Sequence, residues 1–236
     1  PEKTIESDHL QAGDILIFHG ATGVAAGQAL AQALKYATVL PALISGIRGG
    51  SAGLTGNLKA SHIGVVSLGG RSAEHVHATY GSIKTDNVVN YCAKYEGVMM
   101  DRVQVSFPWV YRSTSGLGGP ASEVAKKWAL PGAQKGGGMA YSVPAAGYSV
   151  FGSSSYGDGA KLRARIYRMM RGVQGGVPAF FGSLSSTFCS AFVIACYQAA
   201  MSEAQTATLL ALDAINTSPA TLQGYLSHAE PDPGRL

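Results

Sequence analysis

The chain has 236 residues, of which 46% are hydrophobic and 14% charged, enough apolar material for a sizeable core in one domain. Eighteen Lys and Arg against 14 Asp and Glu leave a net charge of +4. That excess suits an anionic surface or substrate and is too small to argue for a nucleic-acid partner. The cysteines Cys92, Cys189 and Cys196 are odd in number and exclude a disulfide framework.

In chain order, no signal-peptide pattern opens the sequence, and residue 1 is Pro, so the start reads as trimmed and carries no compartment. The stretch "GDILIF" (13–18) predicts a strand entered from a Gly-Asp turn. Residues 15–34 lack Asp, Glu, Lys and Arg but include His19, Gln28, Gln32, Gly20, Gly23 and Gly27, which argues against a transmembrane span. Residues 23–47 predict a helix broken near Pro41, with Leu30, Leu34 and Ala37 on one face. Its opening "GATGVAAGQ" lacks the G-K-[ST] ending of a phosphate loop. After the loop "GGSAGLTGN", "SHIGVVSL" (61–68) predicts a strand, and "GGR" a tight turn into a second strand, "AEHVHAT" (73–79). A third is expected at 98–107. Residues 113–160 are rich in Gly, Ser, Ala and Pro, with a short helix at "ASEVAKKWAL" (121–130).

The second half is helical. In 158–172, Lys161, Arg165 and Arg168 share one face and Leu162, Ile166 and Met169 another. This predicts a solvated face above a core, with contact to anionic lipid or wall polymer as the sharper alternative. Residues 187–201 predict a strong helix with Phe188, Phe192 and Ala195 as its apolar stripe, and 202–215 either continue it or form another. The tail "PDPGRL" is expected to fray. Strands first and helices later imply an α+β fold, with no internal repeat.

Chemistry concentrates around Cys189. Ser185, Ser186 and Thr187 offer N-cap oxygens, which places Cys189 in the first helical turn. There the helix dipole and exposed N–H groups favour a thiolate and offer donors to an oxyanion, with Ser190 beside it as a further candidate contact. Cys196, in mid-helix, reads as core, and Cys92 as structural. A thiolate needs a base. His62 heads an apolar strand, and His75 and His77 alternate around Val76, so both face one side of the next strand. The turn between the strands brings them beside His62, and this geometry does not separate His75 from His77. Metal binding by H-x-H is the rival, with His62 or Cys189 as third ligand. No Cys pair or acidic cluster completes a shell, so neither metal nor cofactor is expected. His9, His19 and His228 read as surface residues.

The blocks "GDILIF", "ASHIGVV" with "HVHAT", and "FCSAFVIACYQAA" resemble the NlpC-type branch of the papain-like cysteine hydrolases. Histidine before cysteine is the order of the circularly permuted branch, which includes lecithin:retinol acyltransferase-like enzymes. The resemblance implies a permuted papain-like fold, with a small antiparallel sheet packed against the Cys-bearing helix. Residues 1–236 would form a single catalytic domain, with insertions at about 19–57 and 108–147. It implies Cys189 as nucleophile, His62 as base and His77 as the residue that orients the base. A tyrosine ahead of the Cys helix, Tyr148 or Tyr156, would help hold the oxyanion.

The expected function is a cysteine hydrolase working through a thioester acyl-enzyme. Its first expected substrate is a peptide amide of bacterial cell wall, in the periplasm or after secretion, as an antibacterial effector with an immunity protein for partner. The alternative is an acyl ester of lipid, with peripheral membrane contact, and the third reading is a non-catalytic papain-like binding module.

Overall fold

The computed structural model describes residues 9–19, 60–79, 82–90, 109–129, 140–141, 153–174 and 186–229. The expected helix at 23–47, the expected strand at 98–107, Cys92, Tyr148 and the tail lie outside the described residues, as does most of the expected insertion at 19–57.

The protein is α+β. Its main sheet holds β1 (Ile15–His19), β2 (Ala60–Leu68), β3 (Glu74–Thr79), β4 (Ser82–Asn87) and β5 (Trp109–Tyr111), ordered β4-β3-β2-β1-β5 with every pair antiparallel. Alternation along the strands sorts their side chains between two faces. Ile15, Ile17, Ile63, Val65, Val76, Ala78 and Ile83 join the core shared with the helices. Leu16, Phe18 and Val66 face the other way, in a smaller cluster with Leu10, Ala73 and Val88.

The strand β4, "SIKTDN", has no apolar run to announce it. It forms because β3 and β4 pair along their whole length, from Thr79↔Ser82 to Glu74↔Asn87. Within the expected insertion at 108–147, Trp109–Tyr111 is an edge strand of the main sheet, and the helix α1 (Gly118–Trp128) packs into the core. Short strands β6 (Ala140–Tyr141) and β7 (Ser186–Thr187) pair in parallel.

After α2 (Asp158–Met170), β7 leads into α3 (Cys189–Ala200), which lies on β2 and β3 and is flanked by α1 and α2. Every residue of α3 from Cys189 to Ala199 is buried, so the expected single stripe of Phe188, Phe192 and Ala195 is corrected to a helix enclosed on all sides. Ala191, Ser190, Ala195 and Ala199 are small enough to let neighbours close in on each face. Cys196 is fully buried in this core.

The α2 face also differs from expectation. Its buried residues are Ala160, Ala164 and Tyr167, whereas Leu162 and Met169 are 57% and 74% exposed. Two alanines let α2 approach α3 closely, and longer aliphatic chains on that face would hold the helices apart.

The capping box of Ser202 and Gln205 starts α4 (Glu203–Leu209) as a separate helix. A 3₁₀ turn (Ala214–Asn216) and α5 (Pro219–Ala229) follow. Ser218 accepts from the Thr221 N–H, and Pro219 occupies the first helical position of α5.

The Gly-Asp turn before β1 is a junction. Gly13 has φ +91°, and a Cβ there would lie 2.2 Å from the Gly118 backbone, so only glycine fits. Asp14, 1% exposed, receives both Nε and an Nη of Arg112 at 2.8 Å and the Gln11 N–H. The Tyr197 hydroxyl of α3 donates to the Gly13 carbonyl. Among the described residues no helix is long and apolar enough to cross a membrane.

Candidate active site

The site lies where β2 and β3 part. They pair at Leu68↔Glu74, Val66↔His75 and Val65↔Val76; from there β2 stays paired with β1 out to His62, while β3 stays with β4 out to Thr79. Three histidines line this fork on one sheet face. His62 stands across from Phe18, with ring centroids 5.9 Å apart. His75 packs 5.6 Å from Phe18 and 4.5 Å from His77, and His77 meets His62 edge-on at 4.8 Å.

The glycine in "SHIGVV" now has a reason. A Cβ on Gly64 would come within 2.6 Å of the His75 ring and 3.3 Å of the His77 Cβ. The strand can pass these rings only without a side chain at that position.

His77 is the histidine that bonds to His62: its Nδ1 lies 2.6 Å from His62 Nε2. Its other nitrogen, Nε2, lies 2.8 Å from Asp86 Oδ2. In the β3–β4 register Asp86 stands opposite His75 and Lys84 opposite His77, so the Asp86 bond runs diagonally across the ladder. Sequence reading missed Asp86. Its only signal is the pairing register of a polar strand, which composition does not advertise.

Cys189 opens α3 beside the same fork. The backbone N–H groups of Ile63, Ser190 and Cys189 itself lie near its sulfur and favour the thiolate form. Ile63 follows His62 directly. The sulfur therefore lies close to the His62 backbone. The helix cap is Phe188, in extended backbone and with no side-chain cap bond. Thr187, an expected N-cap, instead donates its hydroxyl to the Phe188 carbonyl. First-turn N–H groups of α3 thus point at sulfur rather than at a capping side chain.

Burial sets the charge state. It pushes the Cys189 thiol up to about 11, outweighing the three N–H groups that pull the other way and favouring the neutral thiol. His62 is held well below its ordinary value by burial, then by its neighbours His77 and His75. His75 is lowered to about 3, chiefly by burial and then by His77. Burial lowers His77 as well, against the pull of Asp86. At rest the thiol and the imidazoles are held neutral, with the rings on the Phe18 face of the sheet and α3 packed on the other.

Other expected site residues fall elsewhere. The Ser190 hydroxyl is buried and donates to the Thr217 carbonyl at 2.7 Å, so it ties α3 to the turn before α5; only its backbone N–H addresses the sulfur. Tyr156 follows Ser155, which bridges Leu212, and the Leu212 carbonyl accepts from Gln198. That anchors the backbone next to Tyr156 at the C-terminal half of α3, nine residues on from Cys189, or about 13 Å along the helix. No group of three or more His, Cys, Asp or Glu is disposed to hold a metal among the described residues. The chain matches no protein-family model, no curated protein and no solved structure.

Proposed function

We propose that the protein is a cysteine hydrolase of the permuted NlpC type. The observation that carries this reading is the His62–His77 hydrogen bond at the strand fork where the Cys189 thiol also sits. Two histidines on successive strands, and a later cysteine opening a helix that packs on those strands, is the arrangement the resemblance implies.

With Nε2 of His62 engaged by His77, the thiol proton passes to His62 Nδ1. The thiolate attacks an amide or ester carbonyl carbon, and the oxygen gathers charge against the uncapped N–H groups at the start of α3. The imidazolium returns its proton to the leaving nitrogen or oxygen as the carbon–heteroatom bond breaks, leaving a thioester on Cys189. Water, deprotonated by His62, then releases the acyl group and restores the thiol. Because the thiol rests protonated, thiolate forms only with transfer to His62 during attack.

A peptide amide of bacterial cell wall is the first substrate, which places the protein in the periplasm or outside the producing cell, as an effector with an immunity protein. The lipid-ester reading has one observation in its favour: α2 presents exposed Leu162 and Met169 beside exposed Lys161, Arg165 and Arg171, a face suited to an anionic lipid surface.

Incubation with purified sacculi and, separately, with phospholipid vesicles decides between them by mass spectrometry of the products. Muropeptide release from sacculi, abolished in Cys189→Ala and in His62→Ala, is the expected result. Fatty-acid or lysolipid release would transfer the reading to lipid. Turnover that survives Cys189→Ala, or none on either substrate, would overturn the hydrolase.

A further inference from the structure

The bonds from Asp86 to His62 determine where hydrogens lie. Asp86 Oδ2 is 2.8 Å from His77 Nε2, and a carboxylate only accepts, so the hydrogen sits on His77 Nε2. A neutral imidazole has a single N–H, which leaves a lone pair on His77 Nδ1. His62 Nε2, 2.6 Å from that lone pair, must then be the donor. Neutral His62 is left with its own lone pair on Nδ1.

We propose that Asp86 is a positioning residue: acting through His77, it holds His62 in the Nε2–H tautomer and so makes Nδ1 the atom that accepts the Cys189 proton. This deepens the hydrolase reading and rests on it for its catalytic meaning.

Without Asp86, the carboxylate that fixes the hydrogen on His77 Nε2 is gone. That hydrogen can then move to Nδ1, where it would face His62 Nε2. His62 would have to accept there, and its hydrogen would shift to Nδ1, the nitrogen needed as a base. Among the described residues, the other titratable groups around this line are His75, stacked on His77, Lys84, paired with His77 across the β3–β4 ladder, and Cys189 at the fork. None of them takes the place of the Asp86 carboxylate on His77 Nε2. The Asp86 side chain is 44% exposed, so its replacement leaves no buried void.

The test uses the whole chain, labelled with nitrogen-15, and two-bond proton–nitrogen correlations of the histidine rings near neutral pH, assigned with His62→Gln and His77→Gln. In the unsubstituted protein both rings should show the Nε2–H tautomer. In Asp86→Ala, His77 should become a tautomer mixture. His62, bonded to His77, should follow it. Muropeptide release should fall by about tenfold or more, with the melting temperature nearly unchanged. Asp86→Glu should restore both tautomers and most of the activity. An Nδ1–H form of His62 in the unsubstituted protein overturns the proposal, and so does a His62 signal that stays put while His77 changes. The first of these needs no variant to fold. The tautomer readout needs no substrate, so failure of Cys189→Ala to abolish turnover would remove the hydrolase reading and leave the tautomer result standing.

Discussion

His75 is not itself a link of the Asp86–His77–His62 line, yet the line leans on it. Its ring is fully buried between Phe18 and His77, and burial lowers its pKa to about 3. In the unfolded chain it titrates near the ordinary value of about 6.5. Between those two values the unfolded state binds a proton that the folded state refuses, so stability is complete above about pH 6.5 and falls as pH drops through this window. For this residue alone, going from pH 7 to pH 5 should cost about 2 kcal/mol. Urea midpoints at the two pH values measure the loss, and His75→Leu should flatten the difference by about that amount. An unchanged pH dependence in the variant would mean that the other buried histidines carry the acid sensitivity. Cys189 teaches the complementary lesson: three N–H groups aimed at a sulfur do not make a thiolate when the sulfur is only 4% exposed.

At the scale of elements, the parting of β2 from β3 makes the site. Beyond Val65 the backbone of β2 no longer pairs with β3, and the Ile63 N–H serves the thiol instead. The rings can lie across the gap because Gly64 offers no side chain. Gly64→Ala places a Cβ 2.6 Å from a His75 ring that has no room to retreat. The expected cost is about 1–3 kcal/mol of stability from overpacking, read by urea denaturation. Turnover should fall by about a hundredfold if displacement of the rings moves His62 by about 1 Å from Cys189. A Gly64→Ala protein with full activity would show that the fork tolerates a shift of its histidines. Ser190 acts at the same scale, as the tie from the start of α3 to Thr217 that holds the helix end against the fork.

The whole molecule is organised around α3. Its C-terminal half reaches the Gly13 turn through Tyr197, its start is tied by Ser190 to Thr217, and Gln198 holds the carbonyls of Leu210 and Leu212. The segment 210–217 is clamped from outside by α2: Arg163 donates through Nε at 3.0 Å and an Nη at 2.5 Å to Asp213, which is 4% exposed. Arg163→Ala would strand that carboxylate with Asn216 as its remaining side-chain donor among the described residues. The expected cost is about 3 kcal/mol, roughly 10 °C in melting temperature, and adding Asp213→Asn should recover part of it. Equal losses in the single and double variants would place the energy in packing rather than in the ion pair.

Read alone, the sequence determined the strands at 13–18, 61–68 and 73–79, the helices at 158–172 and 187–201, the α+β order, and Cys189 with His62 as the chemical candidates. All of these are written in local signals: apolar alternation, turn glycines, helical runs, and a histidine with no packing reason to head a strand. The choice of His77 over His75 is a different matter, since both share a face and only the angle of the rings across the fork tells them apart. Asp86 depends on the register of a polar strand, the outward turn of Leu162 and Met169 on two alanines that let α2 settle closely, and the protonation of Cys189 on how completely α3 is enclosed. These were decided by tertiary structure, because hydrogen-bond direction and desolvation belong to neighbours that are far apart along the chain.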